Sequence, residues 1–229
     1  MFIMQDDEPE QRKQKSIAVL KALGIETMEG LPLLESEDEA VLRTKEEVAG
    51  RTVGLMLTSL YAEWLCSGEE RNENRAWIEK LIKHFDAHDF FTPKERAFLE
   101  DEDPEESECI NFSWQYEPFT VMLWALGFLS TEEALAIPAE ICDVPKAVGL
   151  MKEHKSYESF LSAAVLRDKA VILDQADLIY RYDWACVEDR INNPQEHKVE
   201  WGIVMERHRA LNWLISYCED DWDDVSTDT

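Results

Sequence analysis

Four polar residues in this chain are turned inward by helical spacing, and they are the groups most capable of chemistry. On a helix read from about Val199 to Cys218, a projection at ~100° per residue puts Trp201, Val204, His208, Leu211, Ile215 and Cys218 on one apolar arc. His208 lies in the middle of that arc and Arg207 inside it, whereas Glu206, Arg209, Trp213 and Tyr217 point the other way. A buried guanidinium cannot shed its proton, so Arg207 requires a carboxylate or several carbonyls. Two other helices supply inward acids: Asp183 projects among Ile172, Ala176, Ile179 and Val187, and Glu117 between Val121 and Trp124. In one reading these four groups neutralise one another as a core network. In the other they line a cleft where His208 or Glu117 moves a proton and Arg207 anchors an anion.

Weaker constellations surround them. His84 and His88 stand four apart, a spacing that can bite a metal on a helix, but no third ligand is fixed by spacing. Cys186 could pair with His208 as a nucleophile, yet it sits on an apolar arc, where a thiol is inert. Trp64, Trp77, Trp114, Trp124, Trp184, Trp201 and Trp213 read as core rather than as a ligand box. Asp174, Asp177, Arg181 and Glu188 read as a solvent-facing stripe, with Asp177 and Arg181 at the supporting i, i+4 spacing. No dinucleotide, Walker, nucleophile-elbow or zincin motif occurs, so no cofactor is indicated.

The elements that must carry these groups are helices. A first helix is predicted from near Pro9 to Leu23, stopped by Gly24. Residues 24–43 read as an extended connection. Thr44 with Glu47 and Thr92 with Glu95 form capping boxes, the first opening a long apolar helix toward Cys66 in which Gly50 and Gly54 imply a closely packed neighbour. The run from Pro118 to Leu129 is apolar around its whole circumference and reads as a central, buried helix begun or kinked at Pro118. Shorter helices follow Ser130 and Asp143, then one over 156–166 and a longer one over 168–191 closed by Asn192-Asn193-Pro194. No solenoid repeat and no alternating strand pattern appears. The expected fold is all-α: a flexible N-terminus over 1–10, a single multi-helix domain over 11–218, and an acidic disordered tail over 219–229.

Composition bounds the function. The 229 residues carry 49 Asp+Glu against 23 Lys+Arg, a formal charge of −26. Such a chain repels phosphate backbones and anionic lipid, which excludes nucleic-acid and membrane-surface binding through basic contacts. With 45% hydrophobic residues it is nevertheless a folding sequence rather than an acidic solvator. Glu100–Glu108 holds seven acids and Glu219–Asp228 six, with no Lys or Arg in either, so about half of the excess sits in two short blocks. Five widely spaced cysteines without a C-x-x-C unit, and no signal-peptide pattern at the start, point to the reducing cytoplasm.

Several separated blocks carry a family resemblance: Ile110-Asn111-Phe112-Ser113-Trp114-Gln115-Tyr116-Glu117, Leu123-Trp124-Ala125-Leu126-Gly127, Asp177 through Cys186, and Val204 through Leu214. In that order, from about Arg12 to Cys218, they resemble the bacterial domain-of-unknown-function family 4272. The resemblance implies a cytoplasmic helical domain and transfers no activity, cofactor or catalytic residue. It also implies a His near position 183 in many members, which counts against a catalytic role for Asp183. The functional expectation is a non-enzymatic interaction protein for a basic protein partner or a small ligand. The alternative is an enzyme or small-anion binder using Glu117, Asp183, Arg207 and His208.

Overall fold

Thr44 and Thr92 show how closely local chemistry sets the element boundaries. In the computed structural model, which describes residues 8–67, 71–192 and 198–229, each hydroxyl accepts from the backbone N–H of the Glu three residues on. That Glu accepts in return from the Thr backbone N–H. These reciprocal bonds satisfy orphan donors and fix the starts of two helices. Ser130 with Glu133 repeats the device, and Asp143 caps through the Lys146 N–H ahead of Pro145.

The helices are α1 (Glu8–Ala22), α2 (Lys45–Cys66), α3 (Arg71–His84), α4 (Pro93–Glu100), α5 (Glu106–Ser113), α6 (Tyr116–Ala125), α7 (Thr131–Ala134), α8 (Val144–Lys152), α9 (Tyr157–Ala163), α10 (Lys169–Asn192) and α11 (Trp201–Leu214), followed by a 3₁₀ turn at Tyr217–Glu219. Among the described residues there is no strand, and no helix is long and apolar enough to cross a membrane. Packing runs in a chain: α1 lies on α10, α10 on α11, α11 on α6, α6 on α2, and α2 on α3 and α5. All ten residues of α6 are buried, because α2 and α11 both pack on it. Arg167 finishes this helix, its Nε donating to the Trp124 carbonyl and its Nη2 to that of Leu129, each at 2.7 Å.

Gly54 is explained by its neighbour. A Cβ there would lie 2.7 Å from the Phe90 carbonyl oxygen and 2.5 Å from Arg51 Nη2. Only a hydrogen side chain lets the 85–92 turn descend onto α2.

Several expectations need correction. The segment after α11 is not a free acidic tail. Trp222 is 3% exposed, the Arg51 and Arg209 guanidiniums lie over its ring at 5.2 and 4.8 Å, and Trp213 meets it edge-on. Arg43 Nη2 donates to the Asp220 carbonyl, the Lys94 N–H to the Asp223 carboxylate, and Asn212 to the Ser226 carbonyl. One buried indole with these bonds overrides the net charge of the block. At the other end, Glu8–Glu10 already form the first turn of α1; the rest of the expected flexible N-terminus, residues 1–7, lies outside the described residues, as does the Asn193-Pro194 stop signal. Asp177 and Arg181 face inward, 0% and 2% exposed, because α1 covers that face of α10. Glu206 and Trp213, expected outward, are buried: Glu206 lines a cleft shared with α5, and Trp213 meets Trp222 edge-on and lies under Arg43. Conversely, Trp77, Trp114 and Trp201 are exposed.

Candidate functional site

The four inward polar residues form two separate pairs. Arg207 is buried, with Nε 2.9 Å from Glu117 Oε2 and Nη1 donating to the Ala136 carbonyl at 2.8 Å. Glu117 Oε1 accepts the Cys142 N–H at 2.6 Å. The pair thus ties α11 to α6 and to the 136–142 connection. His208 Nδ1 lies 2.8 Å from Asp183 Oδ2, and its Nε2 lies 3.1 Å from Asn212 Nδ2, which also donates to Ser226. The Tyr180 ring sits 5.9 Å away. This second pair joins α10 to α11 and, through Asn212, to the C-terminal segment. Such mutual satisfaction is what a buried charge needs to persist. It leaves Arg207 already committed to a carboxylate and a carbonyl where an anion would have to bind.

Two cavities lie beside the Arg207–Glu117 pair. A cavity of about 20 Å³ touches Arg207, roughly one water's worth. A cavity of about 290 Å³ reaches Glu117 and Cys142 beneath exposed Ile141. Burial pushes the Cys142 thiol up to about 12, helped by the adjacent Glu117 carboxylate and opposed by Arg207. Cys186 is likewise raised to about 12, first by burial and then by Asp183. A thiol at that value is protonated and unreactive at neutral pH.

The histidine pair at positions 84 and 88 loses its helical geometry. His84 is the last residue of α3, Asp86 turns the chain through a φ of 48°, and His84 Nε2 lies 3.4 Å from the His154 carbonyl. The i, i+4 alignment that a shared metal needs is therefore broken. Among the described residues no group of three His, Cys, Asp or Glu is arranged to hold a metal.

Two buried ion pairs escaped the helical-wheel reading. Arg181 bonds both oxygens of Asp177, at 2.9 and 2.7 Å; Arg51 Nη2 reaches the Glu95 carboxylate at 2.5 Å. The first has a sequence signal, the i, i+4 spacing, which does not say whether the face is wet. The second joins α2 to α4 and has no local signal.

A surface concavity was not foreseen either. A groove of about 930 Å³ runs between α4 and α5 on one side and the first two turns of α11 with Val225 on the other. Asp101, Glu108, Glu200, Glu206 and Asp223 line it, against two cations, Lys94 and Arg209. Both cations are occupied: Lys94 Nζ donates to the Asp223 carbonyl at 2.5 Å, and Arg209 Nη2 to the Trp222 carbonyl at 3.0 Å. Trp114, Trp201 and Phe112 supply aromatic walls. Burial, with help from nearby Glu117, holds the Glu206 carboxyl above the usual carboxylate range despite Arg209.

Comparison with known proteins places the chain. The family model described as Domain of unknown function (DUF4272) matches residues 12–225, and the chain belongs to that family. No curated protein and no solved structure matches it.

Proposed function

We propose that this member of the DUF4272 family is a non-enzymatic, cytoplasmic binding protein for a basic partner, and that the acidic-aromatic groove beside α11 is its binding face. One observation carries the reading: five carboxylates line a groove of about 930 Å³ whose two cations are held by backbone carbonyls. A concave, low-dielectric wall of one sign focuses its field and favours an oppositely charged ligand. The alternative, an enzyme or anion binder on Glu117, Asp183, Arg207 and His208, has less support because those groups bond one another.

Titration with short lysine and arginine peptides, followed by tryptophan fluorescence at two salt concentrations, tests the proposal. The expected result is salt-sensitive binding that Asp101→Asn with Glu200→Gln weakens by about 10-fold, as two rim charges of ~0.5–1 kcal/mol each would give. The charge-matched control Glu132→Gln with Glu153→Gln, away from the groove, leaves it unchanged. Equal weakening by both double variants would reduce the effect to net charge and overturn the assignment.

A further inference from the structure

The floor of this groove holds two buried acceptors without donors. Glu206 is 8% exposed and Gln115 is 5% exposed, and both line the groove. Glu206 Oε2 and Gln115 Oε1 are fully covered, and neither has a hydrogen-bond partner. Arg209 Nη1 stands 3.8 Å from Glu206 Oε2, beyond hydrogen-bond distance, because Arg209 is drawn over the Trp222 ring. Buried acceptors normally find a donor, and a pair left bare beneath a cleft is an exception that asks for a reason. Beside them stands an aromatic surface. Trp114 is 38% exposed and packs over Gly202, where a Cβ would come within 3.3 Å of the indole. Gly202 thus lets the ring lie against the first turn of α11, one turn from Glu206.

We propose that this floor is a subsite for an arginine side chain, whose guanidinium stacks along Trp114 and donates to Glu206 and Gln115. The inference rests on the proposed cation-binding role of the groove and deepens it to one side chain. Acceptors on two different elements, α11 and the residue before α6, suit a planar fork of five N–H donors better than the compact ammonium of lysine. An indole face favours the same planar cation. Arg209 is the one guanidinium lining the groove, and its like charge is outweighed by Glu206, Glu108, Glu200 and Asp101. Both residues line the groove while these two oxygens are covered, so the subsite requires Glu206 and Gln115 to turn outward by a rotamer change as the ligand enters.

Binding to the full-length protein of two acetylated pentapeptides, Gly-Arg-Gly-Arg-Gly and its lysine counterpart, decides the matter. At 150 mM salt the arginine peptide is expected to bind about 10-fold tighter, the scale of a charge-assisted bidentate contact. Glu206→Gln abolishes that preference by weakening the arginine peptide well beyond the lysine peptide, while Glu132→Gln, outside the groove, preserves it. Trp114→Leu, a rim change that leaves the acceptors in place, lowers arginine binding in the same sense and serves if the Glu206 variant does not fold. Equal affinities for the two peptides, or equal effects of Glu206→Gln and Glu132→Gln, would overturn the arginine subsite. If both peptides bind alike and Asp101→Asn with Glu200→Gln weakens both, the basic-partner reading stands without it. If neither peptide binds the unaltered protein, both readings fall.

Discussion

Arg207 and Glu117 form one unit, and their energetics follow from burial. Removing either leaves the other charged, desolvated and without its main partner, a cost of ~3–5 kcal/mol for such pairs. Replacing both by apolar groups of similar size removes the orphan as well as the bond. We therefore expect Arg207→Met and Glu117→Leu each to lose ~3–5 kcal/mol in urea denaturation, and the double variant to lose far less than the sum. Strict additivity would show that the 2.9 Å contact does not couple the two. The sequence marks both residues because an arginine and a glutamate sit on apolar arcs. It could not pair them, since Asp183 was an equally good carboxylate for Arg207 until the fold delivered it to His208.

At the scale of the helix, close approach between α2 and the 85–92 turn decides what Gly54 tolerates. A Cβ at Gly54 meets backbone, the Phe90 carbonyl, which cannot swing aside. Gly54→Ala is expected to lower stability by ~1–3 kcal/mol, the usual cost of overpacking. At Gly149 in α8 an added methyl would meet nothing within 4 Å, so Gly149→Ala is expected to gain up to ~1 kcal/mol from helix propensity alone. Thermal melts of the two variants should move in opposite directions; a shift of the same sign would refute the packing account. Both glycines interrupt helices in the sequence, and only the neighbour distinguishes them. By contrast, the starts of α2, α4, α7 and α8 are legible beforehand, because a cap hydroxyl or carboxylate and its bonded N–H lie within three residues.

Over the whole molecule the C-terminal segment acts as a strap. It places Trp222 against two guanidiniums and contributes Asp223 and Val225 to the wall of the acidic groove. Trp222→Ala should cost ~3–5 kcal/mol, the range for emptying a buried aromatic site. A truly loose tail would show no change in the denaturation midpoint. The strap also changes the meaning of the −26 charge. Asp101, Glu108 and Asp223 line the groove, yet all three lie in the blocks that composition alone would assign to solvent.

Sequence by itself determined what is local. Capping boxes, 3.6-residue periodicity and the all-apolar run after Pro118 specify an all-α chain, and polar residues on apolar arcs single out Glu117, Asp183, Arg207 and His208. Tertiary structure decided what depends on a second element. The i, i+4 pair Asp177–Arg181 has the same pattern on a wet face as on a dry one, and α1 makes it dry. Trp222 lies in an acidic stretch, and the Arg51 and Arg209 faces make it core. Glu206 lies on the polar side of its own helix, and α5 with the C-terminal segment turns that side into the floor of a groove. Burial is a property of pairs of elements, so no single helix's periodicity can report it.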